Sequence, residues 1–205
     1  MRRFPTPVVL TVSVLALAAC QKPAEEAAKA DGADASVAAP AATTLSASAT
    51  DQEKIESAMR AAPAAVSRDA TIVDMAADGS MRELRKGTNG FSCMADNPVT
   101  PGPDSMCGDA NGMAFIMAWA HKTEPAKNKV GFLYMLEGGT DASNTDPYAA
   151  APTDANNWIK TGPHVMVVGA KGMMEGYPRS PTPDTSKPYV MWPDTPYEHL
   201  MIPMG

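Results

Sequence analysis

Large apolar side chains are spread unevenly along this chain, and that limits where it can fold. All three Trp, all three His and two of the three Cys lie between residues 51 and 205, whereas residues 21–50 contain no aromatic residue. A segment without such side chains cannot offset the entropy of ordering its backbone. The core therefore belongs to residues 51–205, the size of one ordinary domain.

The N-terminus explains what the first fifty residues are for. "MRRFPTPVVLTVSVLALAAC" opens with Arg2 and Arg3, continues with an apolar run from Val8 to Ala19, and places small residues before Cys20. This is the order of an export signal, and the run is shorter than the roughly 20 residues that a spanning helix needs. Leu17-Ala18-Ala19-Cys20 resembles the lipobox of bacterial lipoproteins. The resemblance implies a signal peptide over residues 1–19 and a Cys20 whose sulfur carries diacylglycerol and whose new amine is acylated. The implied partner is then the lipid bilayer, since two or three acyl chains at about 0.8 kcal/mol per buried methylene hold a protein at a membrane. In enteric bacteria an Asp after that cysteine retains a lipoprotein at the inner membrane. Gln21 stands there in this chain, which points to the outer membrane, facing the periplasm. An ordinary signal cut near Ala19 would instead leave Cys20 as a lone thiol in an oxidising compartment. Residues 20–50 read as the lipidated cysteine followed by a disordered, Ala-rich tether. About 30 residues of this kind span on the order of 30 Å, enough for the domain to meet an envelope protein partner.

The net charge is −6, and −8 once Arg2 and Arg3 leave with the signal, 15 basic residues against 23 acidic ones. No basic cluster is available for nucleic acid: Arg82, Arg85 and Lys86 sit among Glu83 and Asp78. Cys93 and Cys107 bracket the Pro-, Gly- and Asp-rich stretch "CMADNPVTPGPDSMC". In an exported protein such a pair reads as a disulfide. The spacing is not Cys-x-x-Cys, and two cysteines alone do not make a thiolate metal site.

Helix and strand patterns are mixed without regular alternation, which predicts an α+β single domain with a mainly antiparallel sheet and two or three short helices. Residues 51–62 read as a helix with Asp51 able to cap and Pro63 able to stop it, and residues 109–122 as a second, capped by Asp109, with Met113, Ile116, Met117 and Ala120 on one face. "ATIVDM" and "MRELRKG" read as strands around an Asp78-Gly79 turn, which "GFSCM" continues. "KVGFLYMLEGG" is a strand ending at its glycine pair, and "HVMVVGA", apolar on both faces, is a central one. Asp154 to Lys160 reads as a short helix around Trp158, and "AKGMMEG" as another. "PYVMW" and "YEHLMI" are short strands joined by Pro-Asp-Thr-Pro. The Pro-rich segment from residue 177 to 197 reads as a surface crossing that tucks Tyr177, Tyr189, Trp192 and Tyr197 onto the core; an exposed aromatic ledge for a partner is the alternative.

Fifteen methionines are many for 205 residues. Thioethers select Cu(I), and imidazole also binds copper. Residues i and i+2 of a strand share a face, so His164 projects with Met166, and His199 with Met201. If their strands are neighbours, four soft ligands meet on one face. The competing reading is that methionine fills gaps in a core and each His is satisfied by a backbone carbonyl. His121 ends its helix, where it suits the terminal carbonyls. "GGTDASNTDPYAAAPTD" fails the calcium-loop pattern because Asp146 and Pro152 stand where Gly and Glu are required; its polar residues are turn formers. No nucleophile elbow, His-Glu-x-x-His or phosphate-cradling loop occurs, so no catalytic residue is assigned and no cofactor other than copper is suggested.

"LRKGTNGFSCM", "GFLYMLEGG", "SNTDPY" and "PYVMWPDTPYEHLM" resemble an uncharacterised family of bacterial exported proteins over Arg82–Pro203. The resemblance implies one domain holding both cysteines, and no catalytic residues. The expected protein is a membrane-anchored envelope lipoprotein with a non-catalytic binding or scaffolding role. Cu(I) binding through the His-x-Met pairs and a hydrolase of unrecognised type are the alternatives.

Overall fold

The computed structural model describes residues 44–76 and 80–205. The expected signal, Cys20, the tether up to residue 43 and the Asp78-Gly79 turn lie outside the described residues. The hydrogen-bonded part starts before Asp51, because the Leu45 N–H donates to Asp96 Oδ2 at 2.6 Å.

Helix α1 (Asp51–Arg60) is capped by Thr50 rather than Asp51. The Thr50 hydroxyl accepts from the Glu53 N–H while the Glu53 carboxylate accepts from the Thr50 N–H, so two orphan backbone N–H groups at the helix start are satisfied reciprocally by side chains. Asp51 takes the next position and pairs with Arg82 at 2.7 Å. Pro63 ends the run and opens a short helix α2 (Ala64–Ser67), which propensity did not indicate.

Eight strands form one sheet: β1 (Thr71–Met75), β2 (Met81–Arg85), β3 (Ser92–Met94), β4 (Met106–Gly108), β5 (Gly131–Met135), β8 (His164–Val168), β9 (Tyr189–Met191) and β10 (His199–Pro203). Their order is β2-β1-β3-β4-β5-β8-β10-β9. Only β1 and β3 run parallel; every other pair in the sheet is antiparallel. The domain is therefore α+β with a mainly antiparallel sheet. β4 was not expected, because three residues opening on a methionine give no periodic signal. It sits directly across from β3, with Cys93 opposite Cys107, and the two cysteines form a disulfide.

Alternation sorts the strand residues onto two faces. Val73, Met94, Leu133, Met135, Met166, Val168, Tyr189, Met191 and Met201 pack on one face together with Phe115 and Ile116 of helix α3 (Ala110–Ala120). On the other face Ile72, Cys93 and Cys107 meet Ala58 of α1 and Ala61, the residue that caps its C-terminus, while Val190 and Leu200 meet Met174. β8 packs Met166 and Val168 into the cluster under α3 and Val167 against the Met174 cluster on the other face, which accounts for its lack of a polar stripe.

Two expectations change. Residues 154–160 do not form a helix. Trp158–Ile159 is a strand (β7) paired antiparallel with β6 (Ala142–Ser143). The Asn156 side chain accepts from the Thr153 N–H and donates to the Ala151 carbonyl, and such local bonds compete with a helix. The buried face of α3 is Gly112, Met113, Phe115 and Ile116, with Ala120 exposed. The helix is turned so that its glycine meets the sheet. A Cβ added at Gly131 of β5 would lie 2.2 Å from the Gly112 nitrogen, so both positions exclude a side chain. Gly131→Ala is expected to force α3 off β5 and to lower stability by about 2 kcal/mol, as overpacking does; a urea midpoint unchanged from wild type would refute this contact.

Candidate functional site

The sheet face beneath α3 is not fully filled. A cavity of about 350 Å³ remains, lined from the sheet by His164, Met166, His199 and Met201 and roofed by Phe115, Ile116 and Trp119. All three tryptophans and five methionines reach it. The strands carrying the two His-x-Met pairs are adjacent and antiparallel, so the four residues do share one face.

The register decides how they meet. Met201 stands opposite Met166, His199 opposite Val168 and His164 opposite Pro203. The two histidines are therefore at opposite ends of the shared strip, about 13 Å apart along the strand direction at the backbone, with the two methionines between them. Further thioethers complete each end: Met191 of β9 lies opposite His199, and Met135 of β5 lies opposite His164. Neither of these methionines is within an His-x-Met pair. Met191 had a signal nonetheless, since "PYVMW" and "YEHLMI" read as consecutive short strands.

Each ring is held through Nδ1. His164 Nδ1 is 2.7 Å from the Gly162 carbonyl and His199 Nδ1 is 2.8 Å from the Tyr197 carbonyl. A carbonyl can only accept, so Nδ1 carries the proton and Nε2 is left with its lone pair. His199 is 1% exposed. Its Nε2 is one of two buried side-chain polar atoms without a hydrogen-bond partner among the described residues, a state that costs free energy. Burial holds the His199 ring well below the ordinary histidine range, at about 4, against the opposing hydrogen bond to Tyr197. Burial lowers His164 in the same direction.

Aromatic rings wall the His199 end. Trp192 stands edge-on to the His199 ring at 5.0 Å and Phe115 at 6.0 Å. Trp119 stacks on both Tyr148 and Trp192. Their polar atoms are spent on backbone: Trp192 Nε1–H donates to the Ser143 carbonyl at 2.9 Å, Trp119 Nε1–H to that of Pro147 at 3.1 Å, and Tyr197 O–H to that of Thr123 at 3.0 Å. Trp192 takes a left-handed backbone, φ 53°, which is unfavourable for a bulky residue. The Trp192 N–H bond to the Asn144 carbonyl and the Thr195 N–H bond to its own carbonyl hold it there. Of the four aromatics expected on the core, Tyr189, Trp192 and Tyr197 tuck in, while Tyr177 stays exposed.

The disulfide loop supplies the rim through Thr100, Asp104 and Met106. The Asp104 N–H donates to Asp96 Oδ1 at 2.8 Å, and Asp104 Oδ1 accepts from the Asn97 N–H at 2.7 Å. Burial pushes the Asp104 carboxyl well above the usual carboxylate range, and the neighbouring Asp96 adds to it against the Asn97 bond. The acidic segment after Gly139 turns as expected: the Ser143 hydroxyl accepts from the Thr145 and Asp146 N–H groups. His121 is the exposed C-cap residue of α3. No three of His, Cys, Asp and Glu come together as a metal cage among the described residues; the sheet floor of the cavity offers imidazole and thioether, and its rim offers the Asp104 and Asp141 carboxyls.

No protein-family model matches the chain, and neither a curated protein nor a solved structure matches it. The cavity has to be read from its own atoms.

Proposed function

We propose that this chain is a lipid-anchored envelope protein whose domain holds a small ligand in the His–Met cavity and does not transform it. The reading is supported first by the N-terminal Leu17-Ala18-Ala19-Cys20 and the Gln21 that follows it. The observation that carries the binding half is the tethering of both cavity histidines to main-chain carbonyls. A general base needs a partner that orients it toward a nucleophile, most often a carboxylate. Here a main-chain carbonyl orients each ring in place of a carboxylate, and His199 Nε2 is paired with no hydroxyl or thiol nucleophile, having no hydrogen-bond partner among the described residues. What remains facing the cavity is mostly apolar surface with a few polar groups among it, which is the character of a binding site.

The anchor is tested by fractionation of cells making the full chain. Wild type is expected in the membrane fraction and released by detergent, with the Cys20 peptide carrying acyl mass. Cys20→Ser is expected to leave the membrane. Recovery of wild type from the cytosol with Met1 retained and an unmodified Cys20 thiol would end the proposal.

A further inference from the structure

Resting on the binding role just proposed, the geometry points to a Cu(I) site at the His199 end of the cavity, with His199 Nε2 and the sulfurs of Met191, Met201 and Met166 as its ligands.

Three independent observations converge on it. The first is an unsatisfied acceptor. His199 is fully enclosed, its Nδ1 proton is given to the Tyr197 carbonyl, and its Nε2 lone pair meets no hydrogen-bond donor. Nδ1 bonded to a backbone carbonyl with Nε2 free is the arrangement of a metal-binding histidine, because the second bond fixes tautomer and ring orientation. The second is placement. Met191 is opposite His199 across the β9–β10 ladder, Met201 is two residues on along the same strand, and Met166 faces Met201 from β8. All four side chains rise from one sheet face and line one cavity. The third is chemistry. Neutral imidazole and thioethers carry no charge to balance a hard divalent ion, and they match a soft monovalent one. Trp192 lies T-shaped to the His199 ring at 5.0 Å between centroids, so an indole that reports on the site stands against it.

A methionine core without metal would also pack these sulfurs together. It accounts for the Nδ1 bond to the Tyr197 carbonyl but leaves the buried Nε2 lone pair without a partner, which a metal would supply. His164 stands at the far end of the strip, nearer Met135, and is not a ligand of the same ion.

The test uses the full chain purified in detergent and Cu(I) kept reduced by ascorbate under nitrogen, in competition with bicinchoninate. Wild type is expected to retain one Cu(I) per chain and to lose tryptophan fluorescence as the site fills, since all three indoles line the cavity. His199→Gln and the double variant Met191→Leu with Met201→Leu are each expected to weaken retention at least tenfold. His164→Gln is expected to change it less than threefold. The Met→Leu exchanges keep volume and apolarity, so the fold should survive them, and an unchanged near-ultraviolet circular dichroism spectrum verifies that. Failure of wild type to hold Cu(I) against the chelator overturns the site, as does undiminished retention by the folded Met191→Leu, Met201→Leu chain. Either failure, with acylated wild type still in the membrane fraction, removes the metal and leaves the anchored binding protein standing.

Discussion

Replacing Cys93 and Cys107 together by alanine is expected to lower the unfolding free energy by about 3 kcal/mol, and the melting temperature by roughly 10 °C for a domain of this size. The bridge closes a loop with a sequence separation of 14, and closing it removes conformations from the unfolded chain. Both cysteines are fully buried between the sheet and α1, so the variant also leaves small voids, which adds to the loss. The consequence for the site is local. The loop supplies Thr100, Asp104 and Met106 to the cavity rim, and its exposed tip carries Val99. Without the bridge, amide exchange should rise first over residues 95–105. Thermal melts of wild type with and without a strong thiol reductant check the magnitude. A shift below about 2 °C would mean that strand pairing alone already constrains the loop.

His199 and Asp104 are expected to give opposite pH profiles that offset each other in the wild type. His199 is neutral in the folded state down to about pH 4, whereas an unfolded histidine takes up a proton below about 6.5. Its contribution to stability is therefore present above pH 6.5 and lost as pH falls to 4, by about 3 kcal/mol. Asp104 runs the other way. Burial, reinforced by Asp96, raises its carboxyl above the unfolded value. The stability linked to it is complete below pH 3.8 and lost as pH rises toward its folded value. His199→Leu should gain on wild type as the solution is acidified, and Asp104→Asn should gain on wild type as it is brought toward neutrality. Urea unfolding at half-unit pH steps gives both difference curves. A flat curve for His199→Leu would show that the ring is reached by water and titrates normally.

Much of the fold was legible because it follows from local chemistry. α3 has its Asp109 cap and an apolar run, β5 ends at Met135 just ahead of its glycine pair, and β8 is apolar on both faces because each is packed against a cluster. The segment around Trp158 was misjudged because composition suited a helix, while its backbone is taken by a distant partner: the Asn156 and Asn157 carbonyls accept from Ser143 and Asn144, and Trp158–Ile159 pairs with β6. β4 was invisible at three residues, since its only reason to be extended is the pairing with β3 and β5.

The candidate site divides in the same way. Period-two spacing alone put His164 with Met166 and His199 with Met201, because a strand has no other way to direct alternate side chains. It also required two apolar faces of "HVMVVGA" to be covered. The register between β8 and β10 came only from the tertiary structure. Pairing partners are chosen by the whole sheet and by the Trp192 turn, and nothing within a strand encodes its neighbour's offset. That offset separates the two histidines, the β9–β10 register sets Met191 opposite His199, and the enclosed Nε2 is left without a hydrogen-bond partner among the described residues.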